Sequence, residues 1–495
     1  MLFASLTFTL FFLLVFVLYW FVFNRDLKWQ NFFLLISSYI FYGWWDWRFL
    51  ILLFLLSASN YLLAAIIQKN DQTQIKKAAF ILGLFLNIST LVLFKYFNFF
   101  IDGFINLIST FGININLRTL NIILPIGISF YIFLMLSYII DVYQRKLIAV
   151  RNFSEALLTF SFFPIILSGP IERPIWLLPQ IQTRRIFNYN YATDGLKQIL
   201  WGLFMKIVIA DQCAVHANIL LTNSSTIIGS NLILGIFLFT IQIYADFAGY
   251  SNIAIGIGKL LGFNIMQNFA YPYFARDIRE FWKRWNISLT TWFRDYVFLP
   301  IAYSVSRNIK SDRFYLMKTE FLIYTLGIGV TWILTGLWHG ANYTFIIWGL
   351  LQGFFLLINH VTSKIKRKAL KRLNIKHNNT FLTISDTLAT FIIIMFSWLF
   401  FRADTIEHAF RWLSVIFSSS SFMTPHFDGK RDTLVTLFII CIFFIVEWHS
   451  REKEYGVASL GKKWSKPLRW VLYYSIIATI FWYSGKEQQF IYFRF

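Results

Sequence analysis

The sequence predicts an all-α polytopic membrane protein, and composition, aromatic content and apolar runs together support this prediction. Of 495 residues, 57% are hydrophobic and only 14% are charged, whereas soluble domains carry about 25% charge. Aromatic residues make up 20% of the chain, more than a soluble core and surface accommodate. The apolar runs are continuous and about 20 residues long, as in membrane-spanning helices. These features exclude a cytosolic enzyme, a disordered chain and a secreted disulfide scaffold, and they argue against an outer-membrane barrel of alternating strands.

Eleven apolar runs are predicted to span the bilayer, and three others are shorter or broken. The first run has no basic segment before it and no small-residue cleavage site, so it is predicted to be a membrane helix and not a removable signal peptide. We expect about eleven to thirteen transmembrane helices, with others that enter the bilayer without crossing it. The spanning runs are Leu2–Phe23, Phe49–Ile67, Ala78–Phe94, Asn121–Ile140, Gly195–Ala210, Ile227–Tyr244, Phe321–Leu337, Tyr343–His360, Leu382–Phe401, Leu434–Trp448 and Trp470–Tyr483; the shorter ones are Phe32–Tyr42, Phe100–Thr110 and Ala156–Leu167.

The net charge of +21 is explained by membrane topology and does not indicate nucleic-acid binding. Lys and Arg accumulate in the cytoplasmic loops of membrane proteins. The basic segments 307–318, 364–376 and 451–469 are therefore predicted to be cytoplasmic. The mixed-charge loop Arg402–Asp432 and the C-terminal Phe495 are predicted to be external.

The segment Asp246–Pro300 does not follow the pattern of helices and loops. It combines ten charged residues with many aromatic ones, among them Trp282, Trp285 and Trp292. That is too much charge for lipid and too many rings for a plain loop. We expect helices that lie at the cytoplasmic face or dip in beside protein, serving either as a structural anchor or as a substrate-handling surface.

His339 is the strongest candidate for chemistry, because the segment Phe321–Thr362 contains no Asp, Glu, Lys or Arg. Gly336, Gly340 and Ala341 surround it and permit a helix break or close approach of a ligand. An ionisable group in a membrane segment is a functional hypothesis by default, and a neutral imidazole can take a proton from a hydroxyl group. A hydrogen-bonded structural histidine at a helix junction is the alternative. Hairpin counting places it near the outer turn, whereas a broken helix would place it at mid-depth.

The sequence indicates no metal site. No two histidines have HExxH spacing, and Cys213 and Cys441 have no metal-ligand spacing.

Four ordered blocks carry a family resemblance. They are Ser168–Pro174 followed by Leu178–Gln180, Asp246–Ser251, Glu280–Leu289 with Trp292–Tyr296, and Gly336–Asn342; Phe401–Asp404 and Phe490–Phe495 are similar to the bacterial branch. These blocks resemble those of the membrane-bound O-acyltransferase family, most of all its alginate O-acetyltransferase type.

The resemblance implies a ring of helices around a central tunnel, formed by one membrane domain. Its expected parts are the N-terminal helices (1–150), a catalytic core (151–362) and the C-terminal helices (363–495). The family's near-invariant histidine matches His339, and a second functional position, His or Asn across the family, matches Asn286. Bacterial members usually have His at the position of Asn286 and Asp at that of Asn252. Because an amide cannot act as a base, Asn286 is expected to orient the acyl carbonyl or the acceptor.

The resemblance also implies a reaction and its participants. Acetyl would move from a cytoplasmic donor, acetyl-CoA, to hydroxyls of a cell-envelope or extracellular polysaccharide, directly or through an extracytoplasmic acetyltransferase partner. We expect a multi-pass protein of the bacterial inner membrane, with no permanently bound cofactor, no metal and no nucleic-acid partner. D-alanyl transfer from a carrier protein, a glycan transporter and a non-catalytic scaffold are the alternatives.

Overall fold

The computed structural model describes residues 1, 3–70, 72–113, 115, 119–120, 122–222, 228–309, 311–314, 317–374, 379–485 and 488–491. The chain forms two compact units, residues 1–199 with 250–266 and residues 200–249 with 267–495. The predicted single domain with its ring and tunnel stays a prediction. Phe495 lies outside the described residues, so its predicted external position stays a prediction as well.

The first unit is built from helices α1 to α9 and most of α10. Helices α1 and α4 each continue into a short π-helical segment, Leu18–Val22 and Val92–Tyr96. The helices are α1 (Leu6–Val17), α2 (Leu27–Gly43), α3 (Arg48–Lys69), α4 (Thr73–Leu91), α5 (Phe97–Ser109), α6 (Ile128–Tyr143), α7 (Phe153–Ser161), α8 (Phe163–Ile166), α9 (Pro174–Gln182) and α10 (Tyr189–Leu203).

Proline and glycine set two helix boundaries that hydrophobicity alone misplaces. The predicted span Asn121–Ile140 is wrong at its start, because α6 begins only at Ile128. Pro125 lacks the backbone N–H that a helix interior needs, and Gly127 has a φ of 76°, which favours glycine. The run Ala156–Leu167 is broken into α7 and α8, with Pro164 in the first turn of α8.

Arg185 and Trp20 are buried polar residues of the first unit that hydrogen bonds hold in place. Arg185 is buried and donates to the Tyr19 hydroxyl at 2.9 Å and to Asn31 Oδ1 at 2.6 Å. Trp20 Nε1 donates to the carbonyl oxygen of Leu260 at 2.9 Å. Such pairing offsets the cost of removing polar groups from water.

The second unit contains the rest of the chain. A π-helical segment, Phe204–Ala210, leads into α11, and another, Arg294–Phe298, leads into α15. A two-stranded antiparallel sheet pairs Arg313 with Lys318 and Phe314 with Met317. Its elements are α11 (Asp211–Thr222), α12 (Gly229–Leu260, which ends in the first unit), 3₁₀ turn Pro272–Phe274, α13 (Ile278–Arg284), α14 (Ile287–Phe293), α15 (Leu299–Asn308), β1 (Arg313–Phe314), β2 (Met317–Lys318), α16 (Thr319–His339), α17 (Tyr343–Arg372), α18 (Thr380–Arg402), α19 (Ile406–Ile416), 3₁₀ turn Ser419–Phe422, α20 (Lys430–His449) and α21 (Lys466–Tyr483).

The prediction of separate helices in Asp246–Pro300 is correct in part, and their position at the cytoplasmic face stays a prediction. The short helices α13 and α14 agree with it, but residues 246–260 continue the long helix α12. Asp246 stays in that helix because Lys206 Nζ lies 2.9 Å from its carboxylate. The predicted span ending at Tyr244 is therefore too short.

The prediction of an all-α polytopic membrane protein is confirmed. Among the described residues, eight helical segments are long and apolar enough to cross a membrane, and three shorter helices are apolar. Helix α20 exposes Leu434, Phe438 and Ile445 and buries Thr436 and Glu447, the reverse of a helix at a soluble surface. An apolar outer face of this kind suits lipid.

Candidate active site

Helices α16 and α17 form a close antiparallel hairpin because glycines stand where their backbones meet. A Cβ atom on Gly349 would lie 2.2 Å from the carbonyl oxygen of Trp332, and one on Gly336 would lie 2.3 Å from that of Phe345. Gly349 and Gly353 have the GxxxG spacing that permits close helix approach in membranes. The hairpin therefore holds the end of α16 against the first turns of α17.

His339 is the last residue of α16, so the predicted helix break is confirmed. Gly340 follows in an extended conformation, and Asn342 caps α17 by accepting the Thr344 N–H at 3.0 Å. Asn342 Nδ2 also donates to the carbonyl oxygen of Asp404 at 2.9 Å. These bonds anchor the short link between the two helices and with it the position of the imidazole.

The His339 ring is 3% exposed and enclosed by aromatic side chains. The ring centres of Trp338 and Trp348 both lie 4.9 Å from it, and that of Phe401 lies 5.0 Å away. All three pairs are edge-to-face, an arrangement that aromatic quadrupoles favour. The rings therefore restrict the orientations open to the imidazole.

Asn286 precedes α14 and has a backbone φ of 42°, a left-handed conformation that asparagine tolerates better than most residues. Asn268 braces the turn, since its carbonyl oxygen accepts the Ile287 N–H at 2.9 Å and its Oδ1 accepts the Ser288 hydroxyl at 2.8 Å. The Asn286 side chain is buried, and its Nδ2 has no hydrogen-bond partner among the described residues. The turn therefore fixes the position of the Asn286 amide, whose Nδ2 can donate a hydrogen bond.

A row of indole rings lies between the two predicted site residues. Trp348, which contacts His339, stacks on Trp398 with ring centres 5.5 Å apart. Trp398 lies 5.1 Å from Trp285, the residue that precedes Asn286. The structure thus connects His339 and Asn286 through one aromatic cluster, and their catalytic roles stay a prediction.

A buried tyrosine–carboxyl pair lies beside the Trp285 end of this cluster. The ring of Tyr244 is 6.1 Å from that of Trp285, and its hydroxyl donates to Glu447 Oε1 at 2.7 Å. Burial raises the pKa of Tyr271, and the carboxyl groups of Glu447 and Glu454 raise it further. The Tyr271 hydroxyl therefore stays protonated and can donate.

The Lys206 cluster is a second buried polar group, formed by Lys206, Asp211, Asp246 and the backbone of residues 488–491. Lys206 Nζ lies 2.8 Å from Asp211 Oδ1 and 2.9 Å from Asp246 Oδ1, and it donates to the Gln488 carbonyl at 3.0 Å. Asp246 Oδ2 accepts the Ile491 N–H at 2.8 Å. The cluster thus ties the C-terminal segment to the helices.

Sequence reasoning missed two groups of buried polar residues. Lys206 lies well inside the predicted span Gly195–Ala210, nine residues after the span's other cation, Lys197, and a cation at that depth of an apolar run was the available signal. Thr344, Trp348 and Gln352 recur every fourth residue on α17, which places them on one helix face. That spacing is visible in the sequence, but it gave no signal of a binding site because tryptophan in a membrane protein is ordinarily an interfacial anchor.

Known proteins resemble the chain over most of its length, although no family model matches it. It is 33% identical to the probable alginate O-acetylase of Pseudomonas aeruginosa, with 90% of this chain and 81% of that protein aligned. It is 31% identical to the probable alginate O-acetylase of Pseudomonas putida over 100% of both chains. The peptidoglycan O-acetyltransferase of Helicobacter pylori is 28% identical, with 93% of this chain and 91% of that protein aligned.

Proposed function

Because this chain belongs to the membrane-bound O-acyltransferase family, in the branch of the alginate O-acetylases, we propose that it moves acetyl groups to hydroxyls of a cell-envelope polysaccharide. It is a multi-pass membrane O-acyltransferase. Its relatives are named for acetyl transfer to alginate and to peptidoglycan, and both names describe a glycan acceptor. The observation that carries the proposal is the buried imidazole of His339 at the break between two membrane helices.

His339 acts as the general base toward the acceptor hydroxyl. Its aromatic enclosure keeps water away from the ring, which strengthens electrostatic interactions with a developing charge. The imidazole takes the hydroxyl proton while the hydroxyl oxygen attacks the carbonyl carbon of the acyl donor. Asn286 orients the acceptor or the acyl carbonyl through its side-chain amide.

The donor is acetyl-CoA, which reaches the site from the cytoplasm of a bacterial cell whose inner membrane holds the protein. The segments predicted to be cytoplasmic are basic and suit a phosphate-bearing donor. Transfer proceeds either to the polysaccharide itself or to an extracytoplasmic acetyltransferase partner that completes it.

The test is transfer of labelled acetyl from acetyl-CoA by purified protein in lipid vesicles. His339→Ala should lower the transfer rate by about 10²–10⁴-fold, the range of general-base catalysis, while the protein elutes and melts like wild type. His449→Ala, at the exposed end of α20, is the matched control and should leave transfer unchanged. Unchanged transfer by the folded His339→Ala protein would refute the assignment.

A further inference from the structure

Three buried hydrogen-bond donors line one face of α17. Thr344, Trp348 and Gln352 are each at most 1% exposed. Thr344 Oγ1, Trp348 Nε1 and Gln352 Nε2 have no hydrogen-bond partner among the described residues. They are four residues apart, so successive donors lie about 6 Å from one another along the helix. We name these three residues the donor stripe.

Buried donors without partners are costly, at about 1–3 kcal/mol each, and they are rare in native structures. A stripe of them on one face indicates that a ligand supplies the acceptors. An indole N–H can only donate, as can the amide nitrogen of Gln352. The matching ligand therefore presents carbonyl oxygens at intervals along an extended chain.

The orientation of the Gln352 amide follows from its neighbour. Trp282 Nε1 donates to Gln352 Oε1 at 3.3 Å, and an indole N–H requires an acceptor. The oxygen of the amide therefore faces Trp282. Its NH₂ group is left to face another acceptor.

The position of Trp348 links the stripe to the reaction, since its ring centre is 4.9 Å from that of His339. Gln352 lies one turn farther toward the basic end of α17, which is predicted to be cytoplasmic. A donor that arrives from the cytoplasm therefore passes Gln352 before it reaches Trp348 and His339. Thr344 lies beyond, on the side from which the acceptor would come.

We propose that two residues of the donor stripe bind the acyl donor, with Gln352 Nε2 on an amide carbonyl of its pantetheine arm and Trp348 Nε1 on the reacting thioester carbonyl. This assignment rests on the proposed function, because it takes a pantetheine thioester as the donor. Trp348 is thereby a catalytic residue, and Gln352 is a binding residue.

The Trp348 N–H acts on the charge that develops during transfer. The acceptor oxygen forms a bond to the carbonyl carbon, and the carbonyl π electrons move to its oxygen, which Trp348 Nε1–H stabilises. His339 holds the hydroxyl proton. When the electron pair returns, the C–S bond breaks, and the thiolate takes the proton from the imidazolium, so that an ester and a free thiol result.

Binding of two unreactive analogues tests the assignment. S-acetonyl-coenzyme A keeps a carbonyl oxygen near the reacting position, whereas S-propyl-coenzyme A lacks it. Wild-type protein in detergent should bind the ketone about 10-fold more tightly, as expected for one hydrogen bond. Trp348→Phe should abolish that preference. Trp412→Phe is the matched control, because Trp412 is also buried with an unpartnered Nε1 among the described residues but contacts His408, and it should keep the preference.

Kinetics separate the two residues of the assignment. Trp348→Phe should lower kcat by about 10²–10³-fold, as for loss of an oxyanion donor, and should raise the KM for acetyl-CoA by no more than about 10-fold, the preference it loses for the ketone. Gln352→Met should raise that KM about 10-fold and leave kcat near wild type. If Trp348→Phe does not fold, benzothienylalanine at position 348 has the same shape without the N–H and should give the same results.

Failure of the proposed function and failure of this assignment alone give different results. If wild-type protein binds neither analogue, coenzyme A is not the donor, and both the proposed function and this assignment fail. If it binds both and Trp348→Phe keeps the preference for the ketone with an unchanged kcat, only the assignment fails.

Discussion

The Lys206 cluster and the His339 site are both buried and polar, but they differ in how far their hydrogen-bonding groups are satisfied. Lys206 has two carboxylates and a carbonyl oxygen within 3.0 Å, and both carboxylate oxygens of Asp246 have partners. The donor stripe and the Asn286 amide, by contrast, carry donors without partners among the described residues.

This difference in hydrogen bonding indicates that the Lys206 cluster serves stability and that the His339 site serves the reaction. An ion cluster whose cation is paired with two carboxylates has no free charge for a ligand, and loss of the cation leaves buried charge in an apolar surrounding. Unsatisfied donors reduce stability in the absence of a ligand and are retained where one binds. We therefore expect substitutions in the Lys206 cluster to affect folding, and substitutions at the His339 site to affect turnover.

Lys206→Met should have the largest effect on stability. It leaves two buried carboxylates without their cation, and breaking a buried ion pair costs about 3–5 kcal/mol. Thermal unfolding in detergent measures the loss. The pair Arg48–Asp46, whose arginine side chain is 61% exposed, provides a control, and Arg48→Met should melt like wild type.

The double variant Lys206→Met/Asp246→Asn tests whether unpaired charge causes that loss of stability. It removes one carboxylate together with the cation and should recover part of the lost stability, since less charge remains unpaired. If the double variant is less stable than Lys206→Met alone, attraction between Lys206 and Asp246 does not explain the cluster.

Asn286→Gly should show the opposite behaviour. Glycine adopts the left-handed backbone of position 286 without strain, so the melting temperature should stay near that of wild type. Transfer of labelled acetyl should fall about 10²-fold, because the side-chain amide is lost. A folded variant with full activity would show that Asn286 serves only the turn.

Gly349→Ala should have a smaller effect, and it should change both the stability and kcat. Its Cβ would clash with the Trp332 backbone, and overpacking of this kind costs about 1–3 kcal/mol. The resulting shift of α16 against α17 should also lower kcat. Gly329→Ala is the matched control on α16, because its Cβ would meet nothing within 4 Å; it should keep activity and stability.

Most of the membrane helices follow from the sequence, because the length of an apolar run sets a spanning helix directly. Helix α17 begins at Tyr343 as predicted, after the small residues and Asn342. The C-terminal half of α12 could not be predicted in the same way. Its Asp246 is paired with Lys206, forty residues away in sequence and adjacent in space, and accepts the Ile491 N–H.

The candidate site was predictable to a similar extent. His339 stands out because its segment carries no other charge, and Asn286 comes from the family resemblance. Trp348 gives no comparable signal among 19 tryptophans. Its unpartnered N–H and its contact with the imidazole are properties of packing, and no sequence pattern encodes them.

The glycine contacts between α16 and α17 have a consequence for how this enzyme changes over evolutionary time. His339, Trp348 and Gln352 are carried by one hairpin whose two backbones touch. Helices elsewhere in the chain can therefore diverge to accommodate a new sugar without moving these three side chains relative to each other. The α16–α17 hairpin is therefore expected to be retained as one unit, while residues outside it determine which acceptor is used.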